Sequence, residues 1–129
     1  MNLEDLLNQG RLKHHKTSER EIQNLIALAR RDIKDAKIIG LSLDRRFACA
    51  YNAVLQLATI LLYSKGYRPK GVGHHFTVFQ AMKIIMGTDY HAIADYFDSC
   101  QSKRNITDYD YAGAISELGA IGGGIITKI

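Results

Sequence analysis

From Phe47 to Leu62 the chain carries one apolar stripe at Phe47, Tyr51, Val54, Ala58 and Leu61 and a second beside it at Ala48, Leu55 and Leu62. Both repeat every three or four residues, the spacing that puts side chains on one face of an α-helix. A helix with two adjoining apolar faces must be covered from several sides, so this segment reads as the central helix of a bundle. Its neighbours then have to be helices that lie along it, joined by short connections.

Those neighbours are legible. Ser18 and Glu21 have the S-x-x-E spacing in which each side chain satisfies the other's free backbone amide. Ile22, Leu25, Ile26, Ala29, Ile33 and Ala36 then recur until Gly40, predicting a helix over 19–39. Ser42 or Asp44 can cap the central helix, expected over 43–65 and ended by Gly66. The segment Arg68-Pro69-Lys70-Gly71-Val72-Gly73 holds the only proline and reads as a loop. A helix over 75–86 would turn Phe76, Phe79, Met82 and Met86 inward and stop at Gly87. A further helix, 89–104, would carry Ile93, Phe97, Cys100 and Arg104 along its inner stripe.

No strand-type alternation with hairpin turns is visible over the main body. The expected fold class is therefore all-α, an antiparallel up-down four-helix bundle with short extra terminal helices. Residues 1–17 read as a short helix closed by Gly10 and a mobile basic arm, residues 18–111 as the bundle, and residues 112–129 as a glycine-rich tail. In that tail Gly119, Gly122, Gly123 and Gly124 each weaken a helix by about 1 kcal/mol against alanine. A frayed helix and a loose end are expected, although Ile121, Ile125, Ile126 and Ile129 could dock in a groove.

With 129 residues, 47% hydrophobic and 23% charged, the chain fits one globular domain and excludes a disordered or fibrous class. Cys49 and Cys100 lack the paired spacing of a zinc knot or a disulfide framework, which suits a reducing compartment. The first nine residues do not resemble a signal peptide and no apolar run reaches the roughly 18 residues of a membrane span, so a cytoplasmic protein with no membrane partner is expected. The formal charge is +4, and the basic residues crowd into Arg11-Leu12-Lys13-His14-His15-Lys16, Arg30-Arg31, Arg45-Arg46 and Lys65 to Lys70. Such stretches attract phosphates, or are simply solvated helix faces.

The most informative break in pattern is Arg104, a guanidinium where the stripe calls for an apolar residue. It needs an acceptor and can grip phosphate through two parallel hydrogen bonds, with Asp108 and Asp110 as alternative internal partners. Tyr90, Tyr96, Tyr109 and Tyr111 gather nearby and could stack on bases or seal a helix interface. His14-His15, His74-His75 and His91 form no metal-binding spacing, and no phosphate-cradling glycine motif is present, so neither a metal nor a cofactor is expected.

Ala27 to Ala36, the Tyr51-Asn52-Ala53-Val54 segment, Gly73-His74-His75-Phe76 and the run from Arg104-Asn105 to Asp108-Tyr109-Asp110-Tyr111 together resemble the HEPN family of RNA- and nucleotide-associated four-helix bundles. The resemblance covers residues 21–117. It implies Arg104 and Asn105 as nucleotide-binding residues, with Tyr109 and Tyr111 beside them, and a homodimer as the assembly. In ribonuclease members an arginine is followed after four to six residues by a catalytic histidine; here those positions hold Tyr109, Asp110 and Tyr111. Imidazole titrates near neutrality and a phenol does not, so ordinary metal-independent RNA cleavage is not expected. What remains is a non-catalytic RNA or nucleotide module, acting with a nucleotidyltransferase partner in a toxin-antitoxin-like system. The alternatives are a ribonuclease using an Arg-Asn/Tyr site and a purely structural dimerisation module.

Overall fold

A computed structural model describes residues 1–103, 105–126 and 128. Six α-helices dominate them: α1 Leu3–Asn8, α2 Glu19–Asp35, α3 Leu43–Ser64, α4 His74–Met86, α5 His91–Ser99 and α6 Asp108–Ile126. Two short strands, β1 Leu12–His14 and β2 Tyr67–Pro69, pair antiparallel.

α3 is the central helix. Ser42 caps it by accepting the Arg45 amide, and it buries Phe47, Ala50, Tyr51, Ala53, Val54, Ala58, Ile60, Leu61 and Leu62. α2, α4 and α6 all pack against it, and α5 packs against α4. Full burial of one Leu or Ile side chain stabilises by about 1.5–3 kcal/mol, so this helix is the main source of cohesion. Of the second stripe only Leu62 is fully buried; Leu55 is half-buried and Ala48 exposed. The expectation that no apolar run reaches a membrane-spanning length needs correction: α3, at mean hydropathy 1.4, is long and apolar enough by composition, and half of that window is buried inside the molecule.

The other corrections have local causes. Only half of the expected cap at Ser18 forms: the serine accepts the Glu21 amide at 3.1 Å, while Glu21 turns its carboxylate to His15 and Thr17. α2 stops at Asp35, short of Gly40, and the last turns before α3 are exposed. The helix expected over 89–104 is broken into a 3-10 turn at Thr88–Tyr90, α5, and a second 3-10 turn at Cys100–Ser102, after which Lys103 is extended. Among the described residues its inner stripe runs to Cys100. Phe76 is not an inward residue; it is 50% exposed, with the Arg11 guanidinium over its ring.

The glycine-rich segment expected to fray is helical through Ile126, because Ala114, Leu118, Ile121 and Ile125 recur at helical spacing and are buried. Burial on that side outweighs the poor helix propensity. One of its glycines is needed for contact: a Cβ on Gly124 would fall on the Tyr90 hydroxyl and close to Met86 Cε.

The basic arm is no loose tether. Leu12 is 1% exposed, and β1 runs along β2 with Leu12 opposite Pro69, Lys13 opposite Arg68 and His14 opposite Tyr67. Hydrogen bonds from the Lys70 amide to Arg11 and from the His15 amide to Gly66 extend the ladder at both ends. Two segments read as an arm and a loop are thus joined into one ribbon.

Candidate functional site

The start of α3 and the chain leaving α5 enclose a cleft of about 460 Å³. α3 supplies Asp44, Phe47, Ala48, Tyr51 and Asn52; the segment after α5 supplies Cys100, Gln101, Lys103, Asn105 and Ile106. Asn105 takes a left-handed backbone, φ 57°, which asparagine tolerates better than most residues and which turns the chain across the end of α3. The Ile106 amide donates to Asp44 at 3.3 Å and fixes that crossing.

The cleft's polar groups are mostly neutral. Asn52, Gln101 and Asn105 bring three carboxamides, each with donors and an acceptor. Tyr51 shares a hydrogen bond with His75 Nδ1 at 3.1 Å, and its pKa is pushed up to about 12, first by burial and then by the Asp98 charge. Burial also raises the Cys100 thiol. Both groups stay protonated at neutral pH. Asp44 is engaged by backbone, and Lys103 stands 3.4 Å from Asp110, whose carboxyl is held below its ordinary value first by the Thr107 backbone amide. No imidazole lines the cleft among the described residues, which offer hydrogen bonds and the Lys103 cation.

Of the four residues singled out from the sequence, the three that are described do not line one cavity. Arg104 lies outside the described residues. Asn105 lines the cleft. Tyr109 is 87% exposed and lines a different cavity of about 550 Å³, with Ile93, Tyr96 and Glu117. Tyr111 is a clamp: its hydroxyl donates to the Ala36 carbonyl at 2.6 Å and the Arg46 guanidinium lies 4.8 Å from its ring centre, tying α6 to the end of α2. Asp110, expected as an alternative internal partner of Arg104, forms a reciprocal cap with Thr107 at the start of α6.

Asn52, Gln101 and Lys103 were not singled out from the sequence. Their signal was weak, since an exposed amide on a helix looks like any solvated residue until the fold brings three together. A second grouping has no signature in sequence spacing: Asp32, Asp35 and Cys49 place their ligand atoms within 4.8 Å of one another at the α2–α3 seam. Asp32 there already accepts from Gln56 at 3.0 Å and from Arg31 at 3.2 Å. No family model matches the chain, nor does any curated protein or solved structure.

Proposed function

We propose that the protein is a HEPN-like helical module that binds RNA or a nucleotide without cleaving it, with α2, α3, the α4–α5 unit and α6 as the four members of an up-down bundle. The observation that carries the reading is the cleft at the start of α3, where Asn52, Gln101 and Asn105 stand around an apolar floor beside Lys103. Carboxamides pair with base edges, adenine above all, through paired donor and acceptor contacts, and a lysine suits a phosphate. The protonated phenol and thiol support binding over catalysis. On this reading the assembly is a homodimer, and a nucleotidyltransferase is the protein partner.

The test is incubation of the purified chain with labelled single-stranded RNA in a chelator, followed for both retardation and cleavage. Retardation without cleavage, competed by adenine nucleotides and weakened by Asn105→Gly, is the expected result. Asn105→Gly removes the amide and keeps the left-handed backbone. Cleavage in the chelator that disappears in Arg104→Ala would favour the ribonuclease alternative.

A further inference from the structure

The ribbon formed by β1 and β2 carries an arrangement of charge that the fold does not neutralise. Leu12 points inward, so alternation along the strand puts Lys13 on the opposite, outward face. Lys13 lies directly opposite Arg68, and the bond from the Lys70 amide to the Arg11 carbonyl carries the ladder on to Lys70. One face of the ribbon therefore holds Lys13 and Arg68 opposite each other, with Arg11 and Lys70 at the positions just beyond the strands.

Like charges directly opposite across a sheet are destabilising. Lys13, Arg68 and Lys70 are exposed, and none has an ion pair among the described residues. The Glu21 carboxylate, which feels the Arg68 charge without an ion pair to it, is held by His15 and Thr17. Arg11 is the fixed member: its guanidinium rests 4.9 Å from the Phe76 ring centre and donates to Thr77 Oγ1 at 3.3 Å. At the ribbon's other end the exposed His14 ring stacks on Tyr67, 5.3 Å between centres.

We infer that this outward face is a docking surface for single-stranded RNA, whose phosphates neutralise Lys13, Arg68 and Lys70. The kind of partner rests on the RNA reading above; the surface is separate from the cleft. A phosphate chain offers charge at regular intervals, as the ladder does, and releasing its counterions supplies the affinity. A membrane surface suits this face less well, because the exposed side chains of the strands are cations and imidazole, and Val72 in the following turn is one aliphatic residue where insertion needs apolar area.

The experiment is an anisotropy titration of fluorescein-labelled single-stranded RNA with the whole chain across a salt series, comparing the wild type with Lys13→Gln, Lys13→Glu, Lys13→Glu/Arg68→Glu and Asn105→Gly. Vesicles of phosphatidylcholine and phosphatidylserine form a parallel arm. The expected result is binding that weakens as salt rises, with the steepness of that dependence falling by about 1 for each cation removed, and an affinity loss of about tenfold or more in the double variant. Lys13→Glu should melt higher than wild type while binding less, a combination that damage to the fold cannot produce. Unchanged affinity and salt dependence in the ribbon variants, with loss in Asn105→Gly, would overturn the ribbon and leave the cleft reading standing. Loss in the ribbon variants alone would support the ribbon and remove the cleft. Stronger attachment to the vesicles than to RNA, or no binding to either, would overturn the ribbon proposal.

Discussion

At the α2–α3 seam Asp32 is 4% exposed, and its carboxylate oxygens are taken by Gln56 and Arg31, whereas across the ribbon Lys13 faces Arg68 in the open with no acid paired to either among the described residues. The seam follows the rule that a buried charge must be partnered, because an orphaned one costs several kcal/mol. The ribbon is under no such compulsion, since water and salt screen its cations. Unneutralised charge is thus kept where a ligand can reach it, and the interior spends its polar groups on holding helices together.

That contrast can be broken most forcefully at the seam. Asp32→Ala should lower stability by about 1–3 kcal/mol, because the Gln56 amide loses its acceptor in a buried place, and the melting temperature should drop with it. RNA affinity should be unchanged. An equal loss of RNA binding in this variant would show that seam and ribbon are not independent.

A smaller effect is expected at Tyr111. Tyr111→Phe removes the hydroxyl that donates to Ala36 but keeps the ring beneath Arg46, so urea unfolding should report a loss of about 0.5–1.5 kcal/mol. If RNA cleavage or nucleotide affinity fell instead, Tyr111 would have to be returned to the site.

The ribbon should respond in the opposite direction and more weakly. Lys13→Glu replaces a cross-strand repulsion with an attraction, and chemical denaturation should show a gain of about 0.2–1 kcal/mol. A loss of stability would mean that Lys13 and Arg68 already share an anion in the free protein.

The smallest effect is one of pH. The Glu21 carboxyl is held below its ordinary value of 4.5, first by the hydrogen bond from His15 and then by that from Thr17. A carboxyl with a lower pKa folded than unfolded binds fewer protons when folded. It therefore adds stability that is fully present above about pH 4.5 and is lost as pH falls through the lower folded value. Melting curves recorded across that acid range should be flatter for Glu21→Gln than for wild type. Identical acid limbs would show that His15 does not hold the ribbon to α2.

Much of the helical framework was readable because it depends on local rules. The stripe from Phe47 to Leu61 and the caps at Ser18 and Ser42 needed no knowledge of distant residues. Where sequence reasoning failed, a contact outside the helical pattern had intervened. Glu21 was diverted from its cap by His15, the glycines of α6 were made helical by burial of Ile121 and Ile125, and Lys13 found Arg68 across all of α2 and α3. The site was less legible than the fold: Asn105 was found, but Asn52 and Gln101 owe their meaning to a crossing that only the folded chain makes.

The ribbon's register also governs the order of events along the chain. β1 leaves the ribosome well before β2, and it can pair only after α2 and α3 have emerged and packed, because closing so long a loop earlier costs entropy with no contact to offset it. With few residues in the ladder and water on one face, it should also be among the first elements to open in the native state. Amide exchange at Lys70 and His15, whose bonds to Arg11 and Gly66 bracket the ladder, should be fast compared with the amides of α3, and slowed by whatever occupies the outer face.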